Sequence, residues 1–139
     1  IARWPSVIES GSLTHQVGHV VDFMPTLLDV AGAEYPEKRN GVPVLPTDGL
    51  SLLPVLEGKE RASHKSLSWY LYGNRAVRQG KWKLVWGSNV GKWELFDLEL
   101  DRTETDDLAV RYPERVKQMQ ADWFRWAKKT GEPVKGTGL

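Results

Sequence analysis

Cysteine is absent from this chain of 139 residues. Its absence excludes disulfides, thiolate metal ligands and cysteine nucleophiles, and it leaves the redox compartment undetermined. No apolar run is long enough to cross a bilayer. Neither sign of charge is in excess, because 19 Lys and Arg stand against 18 Asp and Glu, for a formal net charge of +1. We therefore expect neither a nucleic acid nor a membrane as a partner.

Motifs of common catalytic sites are also missing. The sequence contains no Gly-x-Ser-x-Gly nucleophile elbow and no glycine-rich phosphate loop. His64 lies in a charged segment without a base partner nearby in the sequence. The first residues show neither a start methionine nor a targeting segment, so we expect the natural protein to continue upstream.

Alternating residues from Arg75 to Asp97 predict three short β-strands with two turns. Trp82, Leu84 and Trp86 occupy every second position, and this period of two is typical of a half-buried strand. A preceding strand is expected from Leu67 to Tyr72. One apolar face needs a cover, for which the amphipathic helix predicted over residues 113–129 is the best candidate.

The first half of the chain predicts less structure. Ile1 to Trp4 is apolar and short, and it favours a strand that Pro5 ends. Asp22 is typical of a helix N-cap, and it precedes a helix predicted from Phe23 to Ala31. Gly32 follows at the position where glycine commonly ends helices. The fold class is therefore α+β.

Three patterns allow chemistry, each with a plainer alternative. His15 and His19 have the spacing of metal ligands on a helix, but Gly18 between them disfavours that helix. The acidic residues around Asp106 and Asp107 fit a solvated loop with local capping better than a cation site. The Trp-Lys alternation is also found in carbohydrate-binding and nucleic-acid-binding surfaces, so a stand-alone binding module remains an alternative. Such a module would use exposed indoles from Trp82, Trp86 or Trp93.

Several stretches occur in the order found in one enzyme family. They are Arg3-Trp4-Pro5, residues 21–32 (VDFMPTLLDVAG), residues 48–58 (DGLSLLPVLEG), residues 76–84 (AVRQGKWKL), residues 94–98 (ELFDL) and Asp107-Leu108-Ala109. In this order and spacing the chain resembles the C-terminal portion of type I, formylglycine-dependent sulfatases of the alkaline-phosphatase superfamily. Ser6 departs from the glycine that usually follows Trp-Pro in that family.

The resemblance implies a parent enzyme that hydrolyses sulfate esters, with a formylglycine nucleophile and a Ca²⁺ or Mg²⁺ ion. None of that machinery maps onto this chain, which has no cysteine and no serine followed by x-Pro/Ala-x-Arg. We therefore assign no catalytic residue, no metal ligand and no cofactor to this chain, and we expect it to be inactive alone. A phosphodiesterase or phosphonate hydrolase of the same superfamily is an alternative parent.

The resemblance also implies an architecture. Residues 1–58 correspond to the end of a large α/β domain, and residues 59–139 to a small subdomain with a four-stranded antiparallel sheet and a terminal helix. Loops of that sheet border the substrate cleft in the family, which by position suggests four cleft-lining residues: His64, Trp69, Tyr70 and Asn74. Apolar surface left without its natural cover predicts self-association. Family members are commonly periplasmic, secreted or lysosomal, but this sequence carries no address.

Overall fold

The computed structural model describes residues 1–132 of the chain. They form two compact units, of which the first is Ile1–His64 and the second begins at Lys65. Helices and antiparallel strands occur together, so the predicted α+β class is confirmed. No helix within residues 1–132 has both the length and the apolar character needed to span a membrane. The assignment of residues 1–58 to a larger domain stays a prediction.

The first unit contains little regular structure. A 3₁₀ turn, Val20–Asp22, leads directly into helix α1, Phe23–Ala31, so the predicted helix is confirmed. Gly32 ends α1 with a φ of 60°, a left-handed conformation that glycine adopts without a steric cost. Two short strands, β1 (Lys38–Arg39) and β2 (Val42–Pro43), pair in antiparallel, and one helical turn, α2 (Leu53–Leu56), follows.

The strand predicted from Ile1 to Trp4 is wrong. Among the described residues no segment pairs with it, and a strand is stable only when a neighbour accepts and donates its backbone hydrogen bonds. The chain turns instead, since the N–H groups of Val7 and Ile8 both donate to the Trp4 carbonyl at 3.1 and 2.9 Å. Ser6 has a φ of 72° in this turn, which explains why glycine suits the position.

The second unit is built on a four-stranded antiparallel sheet in the order β3-β4-β5-β6. The strands are β3 (Leu67–Leu71), β4 (Asn74–Gln79), β5 (Trp82–Trp86) and β6 (Trp93–Asp97). Its register places Val77 opposite Leu84, and Leu84 opposite Leu95. The predicted meander is therefore confirmed, together with the helix α3, Pro113–Thr130.

Helix α3 covers one face of this sheet and forms its core. The core residues are fully buried and come from three strands and the helix: Val77, Leu84, Leu95, Met119, Trp123 and Ala127. Met119, Trp123 and Ala127 recur every four residues, so they share one side of α3. The indole Nε1 of Trp123 also donates to the Trp69 carbonyl at 2.9 Å, which satisfies its polar group inside the core.

The acidic segment before α3 caps the sheet. Asp107 accepts hydrogen bonds from the N–H groups of Leu95 and Ala109, at 3.1 and 2.9 Å. Leu108 in turn donates to the Leu95 carbonyl at 2.8 Å, so the outer edge of β6 is paired at this residue. Asp107 and its neighbours thus act as the local capping that the sequence predicted.

Candidate functional site

A buried carboxylate organises the first unit. Asp22 is fully buried, at 0% exposure. Its Oδ2 accepts from the backbone N–H of His19 at 2.8 Å, and its Oδ1 accepts from the N–H of Leu50 at 2.9 Å. The same oxygens lie 2.9 Å from Arg61 Nη2 and 2.7 Å from His64 Nε2. Three segments of the chain, around residues 19–22, 50 and 61–64, therefore meet at one side chain.

The predicted role of Asp22 as the N-cap of α1 is wrong. Asp22 does occupy the N-cap position, but its side chain makes no capping hydrogen bond to α1. The carboxylate reaches backward to His19, and the hydroxyl of Thr26 bonds to the Asp22 carbonyl at 2.6 Å. Burial with a cationic partner explains the change, because a buried carboxylate is stabilised far more by Arg61 than by one backbone N–H.

Close backbone packing delivers the Leu50 N–H to this carboxylate. A Cβ atom at Gly49 would lie 2.0 Å from the carbonyl oxygen of Val21, which is impossible without moving the backbone. Glycine at this position therefore allows residues 48–50 to pass directly over Val21 and Asp22. Thr26 adds a second link, since its hydroxyl accepts from the N–H of Leu52 at 2.8 Å.

Arg61, like the carboxylate with which it pairs, is nearly buried and makes several hydrogen bonds. Its side chain is 6% exposed. Besides Asp22, its guanidinium donates to the carbonyls of Leu50 and Val17, at 2.7 and 2.8 Å. These bonds make Arg61 a structural cation that joins the backbone of three segments, a role that its sequence context does not predict. The only available signal was a lone arginine in a charged stretch, which is ordinarily a solvated one.

Hydrogen bonding decides the charge of Asp22. Burial by itself raises the pKa of this carboxyl, but the N–H groups of Leu50 and His19 and the side chains of Arg61 and His64 outweigh burial. The pKa consequently lies below the usual value of 3.8. Asp22 is therefore an anion at neutral pH. With four donors on its two oxygens, it can orient other groups but has little capacity to bind a cation.

The second partner of the carboxylate, His64, is oriented by it. An ionised carboxylate only accepts hydrogen bonds, so the proton between the two groups belongs to Nε2 of His64. In the imidazole tautomer with the proton on Nε2, Nδ1 is a hydrogen-bond acceptor. His64 is thus a fixed polar group, in an Asp-His pair that can position a hydroxyl or another donor.

The other three predicted cleft residues lie in the second unit. Strand alternation points Trp69 and Tyr70 to opposite faces of the sheet. The ring of Tyr70 lies 6.3 Å from that of Trp123, on the helix-covered face. Asn74 uses its amide to join turns, because its Oδ1 accepts from the N–H of Ser88 at 3.0 Å. Whether His64, Trp69, Tyr70 and Asn74 border one cleft stays a prediction.

The indoles that a binding surface would need are partly buried. Trp82 and Trp93 pack against the core cluster. The rings of Trp86 and Trp93 are 5.6 Å apart, and the guanidinium of Arg75 lies 5.4 Å from the Trp86 ring and 5.0 Å from that of Trp123. Arg75 is itself buried, so these contacts form an internal cation–π arrangement. Neither His15 nor any other described residue belongs to a group of three or more potential metal ligands.

The family model for the C-terminal domain of N-sulphoglucosamine sulphohydrolase matches residues 1–124. The chain belongs to this sulfatase family. It is accordingly the C-terminal portion of a sulfatase of the alkaline-phosphatase superfamily, as the sequence motifs predicted.

Individual relatives agree with the family match. An uncharacterised sulfatase of Schizosaccharomyces pombe is 29% identical over 137 residues, which are 94% of this chain and 25% of the relative. The choline-sulfatase of Rhizobium meliloti is 35% identical over 109 residues, 76% of this chain and 20% of the relative. The sulfatase portion described here thus spans a quarter or less of the length of these curated relatives.

A solved structure shares the fold. A protein determined in complex with its substrate, D-glucosamine-2-N,6-O-disulfate, aligns with a TM-score of 0.67 and 26% identity. The alignment covers 97% of this chain and 29% of that protein. The sulfatase portion therefore shares its fold with part of a much longer protein.

Proposed function

We propose that this chain completes a sulfatase that hydrolyses sulfate esters, and that it has no activity alone. One observation carries the proposal: the family match extends over residues 1–124, while the chain spans only 20% to 25% of the curated relatives compared above. The larger share of such an enzyme lies outside this sequence, and the reactive groups are expected there.

The residues present do not fit the nucleophile and metal that sulfatases of this type use. No cysteine is available for conversion to formylglycine. Within residues 1–132 no group of three or more His, Asp or Glu side chains could hold a metal ion. Asp22, the most buried carboxylate, already accepts from four N–H donors. No catalytic step is therefore assigned to this chain.

The contribution proposed for this chain is a wall of the substrate cleft. His64 supports this idea best, because Asp22 fixes its ring and leaves Nδ1 as an acceptor for a substrate hydroxyl or amide. Trp69 lies on the sheet face opposite to α3, where an indole suits contact with an apolar part of a substrate. Tyr70 and Asn74 belong to the same strand pair and are proposed with them.

The substrate class proposed is a sulfate ester. The relatives include a choline-sulfatase and an N-acetylglucosamine-6-O-sulfatase. These names share the sulfate group and differ in what carries it. The residues that recognise the carrier are therefore expected in the substrate cleft.

Two assays test the proposal. The isolated chain, incubated with 4-nitrophenyl sulfate and Ca²⁺, should show no turnover above background, and measurable turnover would refute inactivity. A longer polypeptide, expressed with the upstream part of the protein, should hydrolyse a sulfate ester. In that polypeptide, His64→Ala and Trp69→Ala should change the preference among sulfated substrates. An exposed histidine, His15→Ala, serves as the matched control, and an unchanged preference in both variants would remove the cleft assignment.

A further inference from the structure

The turn between β3 and β4 holds an aromatic residue in an unfavourable backbone conformation. Tyr72 and Gly73 form this two-residue turn with φ values of 48° and 86°. Such turns need a positive φ at both positions, which Asn-Gly or Gly-Gly provides at little steric cost. A tyrosine at the first position is sterically costly, because its Cβ crowds the backbone in the left-handed region.

No contact of the Tyr72 side chain within residues 1–132 compensates for this steric cost. The side chain of Tyr72 is among the most exposed of the large residues, with the whole residue 89% accessible. It takes part in no hydrogen bond, ion pair or ring contact within residues 1–132. A strained residue that the fold does not use points to a role outside the fold.

The turn is nevertheless held rigidly. Asn74 Nδ2 donates to the Leu71 carbonyl at 3.1 Å, across the turn. Asn74 Oδ1 accepts from the N–H and the hydroxyl of Ser88, at 3.0 and 3.3 Å, which joins the turn to the neighbouring loop between β5 and β6. The Tyr72 ring is therefore presented on a fixed support, so little conformational entropy is lost when a ligand contacts it.

The surrounding chemistry suits a sugar that carries sulfate. Residues 71–74 and 87–91 contain amide, hydroxyl and apolar groups and no acidic residue. An aromatic ring can stack on a sugar ring, and amide and hydroxyl groups of the same two loops can bond to the sugar hydroxyls. The lack of carboxylates avoids repulsion of an anionic sulfate ester.

We propose that Tyr72 is a binding residue for a sulfated carbohydrate, and that its ring stacks on a sugar ring of the substrate. This inference rests on the proposed function, since it places the β3–β4 turn at the substrate-binding side of the parent sulfatase. It adds a residue and a ligand class: Tyr72 selects sugar-linked sulfate esters over small aryl sulfates.

The first experiment separates a binding role from a structural one. Tyr72→Asn in the 139-residue chain should raise the melting temperature by roughly 2–6 °C, because asparagine tolerates the left-handed conformation. Tyr72→Phe, the matched control, should leave it unchanged. A fall in melting temperature with Tyr72→Asn would show that the ring supports the fold and would overturn the proposal.

The second experiment measures selection in the polypeptide restored with its upstream sequence. With a heparin-derived sulfated tetrasaccharide, Tyr72→Asn should lower kcat/KM roughly tenfold, the usual effect of losing one aromatic anchor. With 4-nitrophenyl sulfate it should have no effect, and Tyr72→Phe should resemble the wild type with both. Tyr35→Asn, at an exposed tyrosine of the first unit, is the second control and should change neither rate.

Each remaining outcome counts against one specific claim. An equal loss on both substrates would mean that Tyr72 packs against the rest of the polypeptide, and unchanged rates on both would mean that it has no binding role. Either result overturns the Tyr72 proposal and leaves the sulfatase assignment intact. A wild-type polypeptide that hydrolyses no sulfate ester would instead refute the proposed function, and the Tyr72 proposal would fall with it.

Discussion

The two units of this molecule are built around opposite kinds of buried group. All eight buried hydrophobic residues of residues 1–132 lie in the second unit, and six of them form its core cluster. The buried residues of the first unit are Asp22 and Thr26, both polar. One unit is therefore stabilised by apolar packing and the other by a network of directional hydrogen bonds.

The two kinds of buried group respond differently to substitution. Apolar burial is non-directional, so a core loses stability in proportion to the surface and contacts removed. A buried charge network is directional, and removing one member leaves the others unpaired. The first unit also exposes apolar residues of α1, such as Phe23 and Leu27.

The largest loss of stability is expected in the second unit, whose core is apolar. Trp123→Ala should lower the free energy of unfolding by about 4 kcal/mol, because it removes the largest buried side chain and leaves a cavity under α3. Urea denaturation followed by tryptophan fluorescence measures this change. Arg125→Ala, at an exposed position of the same helix, should cost less than about 0.5 kcal/mol. Similar losses in the two variants would contradict a core centred on Trp123.

A somewhat smaller loss of stability is expected in the first unit, whose buried residues are polar. Asp22→Asn should destabilise the first unit by about 3 kcal/mol, because the buried cation of Arg61 loses its anionic partner. Amide hydrogen exchange, read separately for residues 1–64 and 65–132, should show faster exchange in the first range alone. Asp29→Asn, at an exposed position of α1, is the control. If residues 1–64 of Asp22→Asn exchanged no faster than those of the wild type, the carboxylate would not organise this unit.

Low pH should lower the stability of the first unit, because it protonates Asp22. The pKa of Asp22 is lowered in the folded state, so the unfolded chain binds more protons as the pH falls below about 4. The stability that Asp22 contributes is complete above that pH and is lost as the pH falls through the folded pKa. A carbon-detected NMR titration of the Asp22 carboxyl should give a midpoint below 3.8. A midpoint above that value would contradict the donor arrangement.

The smallest effect on folding, and a distinct effect on assembly, is expected at the exposed face of α1. The isolated chain should self-associate, and Leu27→Glu should reduce association without destabilising the fold, because Leu27 is 65% exposed. Light scattering coupled to size-exclusion chromatography measures the mass of both forms. Asp29→Asn again provides the control. A monodisperse monomer at high concentration would remove the predicted self-association.

The local patterns of the second unit allowed its fold to be predicted. Alternation at Trp82, Leu84 and Trp86, and the helical spacing of Met119 and Trp123, each indicate which face is buried. The same reasoning predicted α1, where Gly32 marks the end of the helix. It failed for Ile1–Trp4, because an apolar stretch forms a strand only if a partner strand lies beside it.

The candidate sites were less predictable, because they depend on residues distant in sequence. The position of Asp22 before α1 predicts an N-cap, which is wrong, because its side-chain partners Arg61 and His64 follow 39 and 42 residues later. The sequence gives no reason to select Tyr72 as a binding residue, since aromatic residues are common at the ends of strands. Only its backbone angle and exposure distinguish it.

The family, the α+β class and the burial pattern of the sheet could be predicted from the sequence, because these depend on local periodicity and on motifs in a fixed order. The tertiary structure decided which polar groups meet. A buried charge is tolerated only where donors from several segments converge on it, and that convergence at Asp22 exists only once the chain has folded.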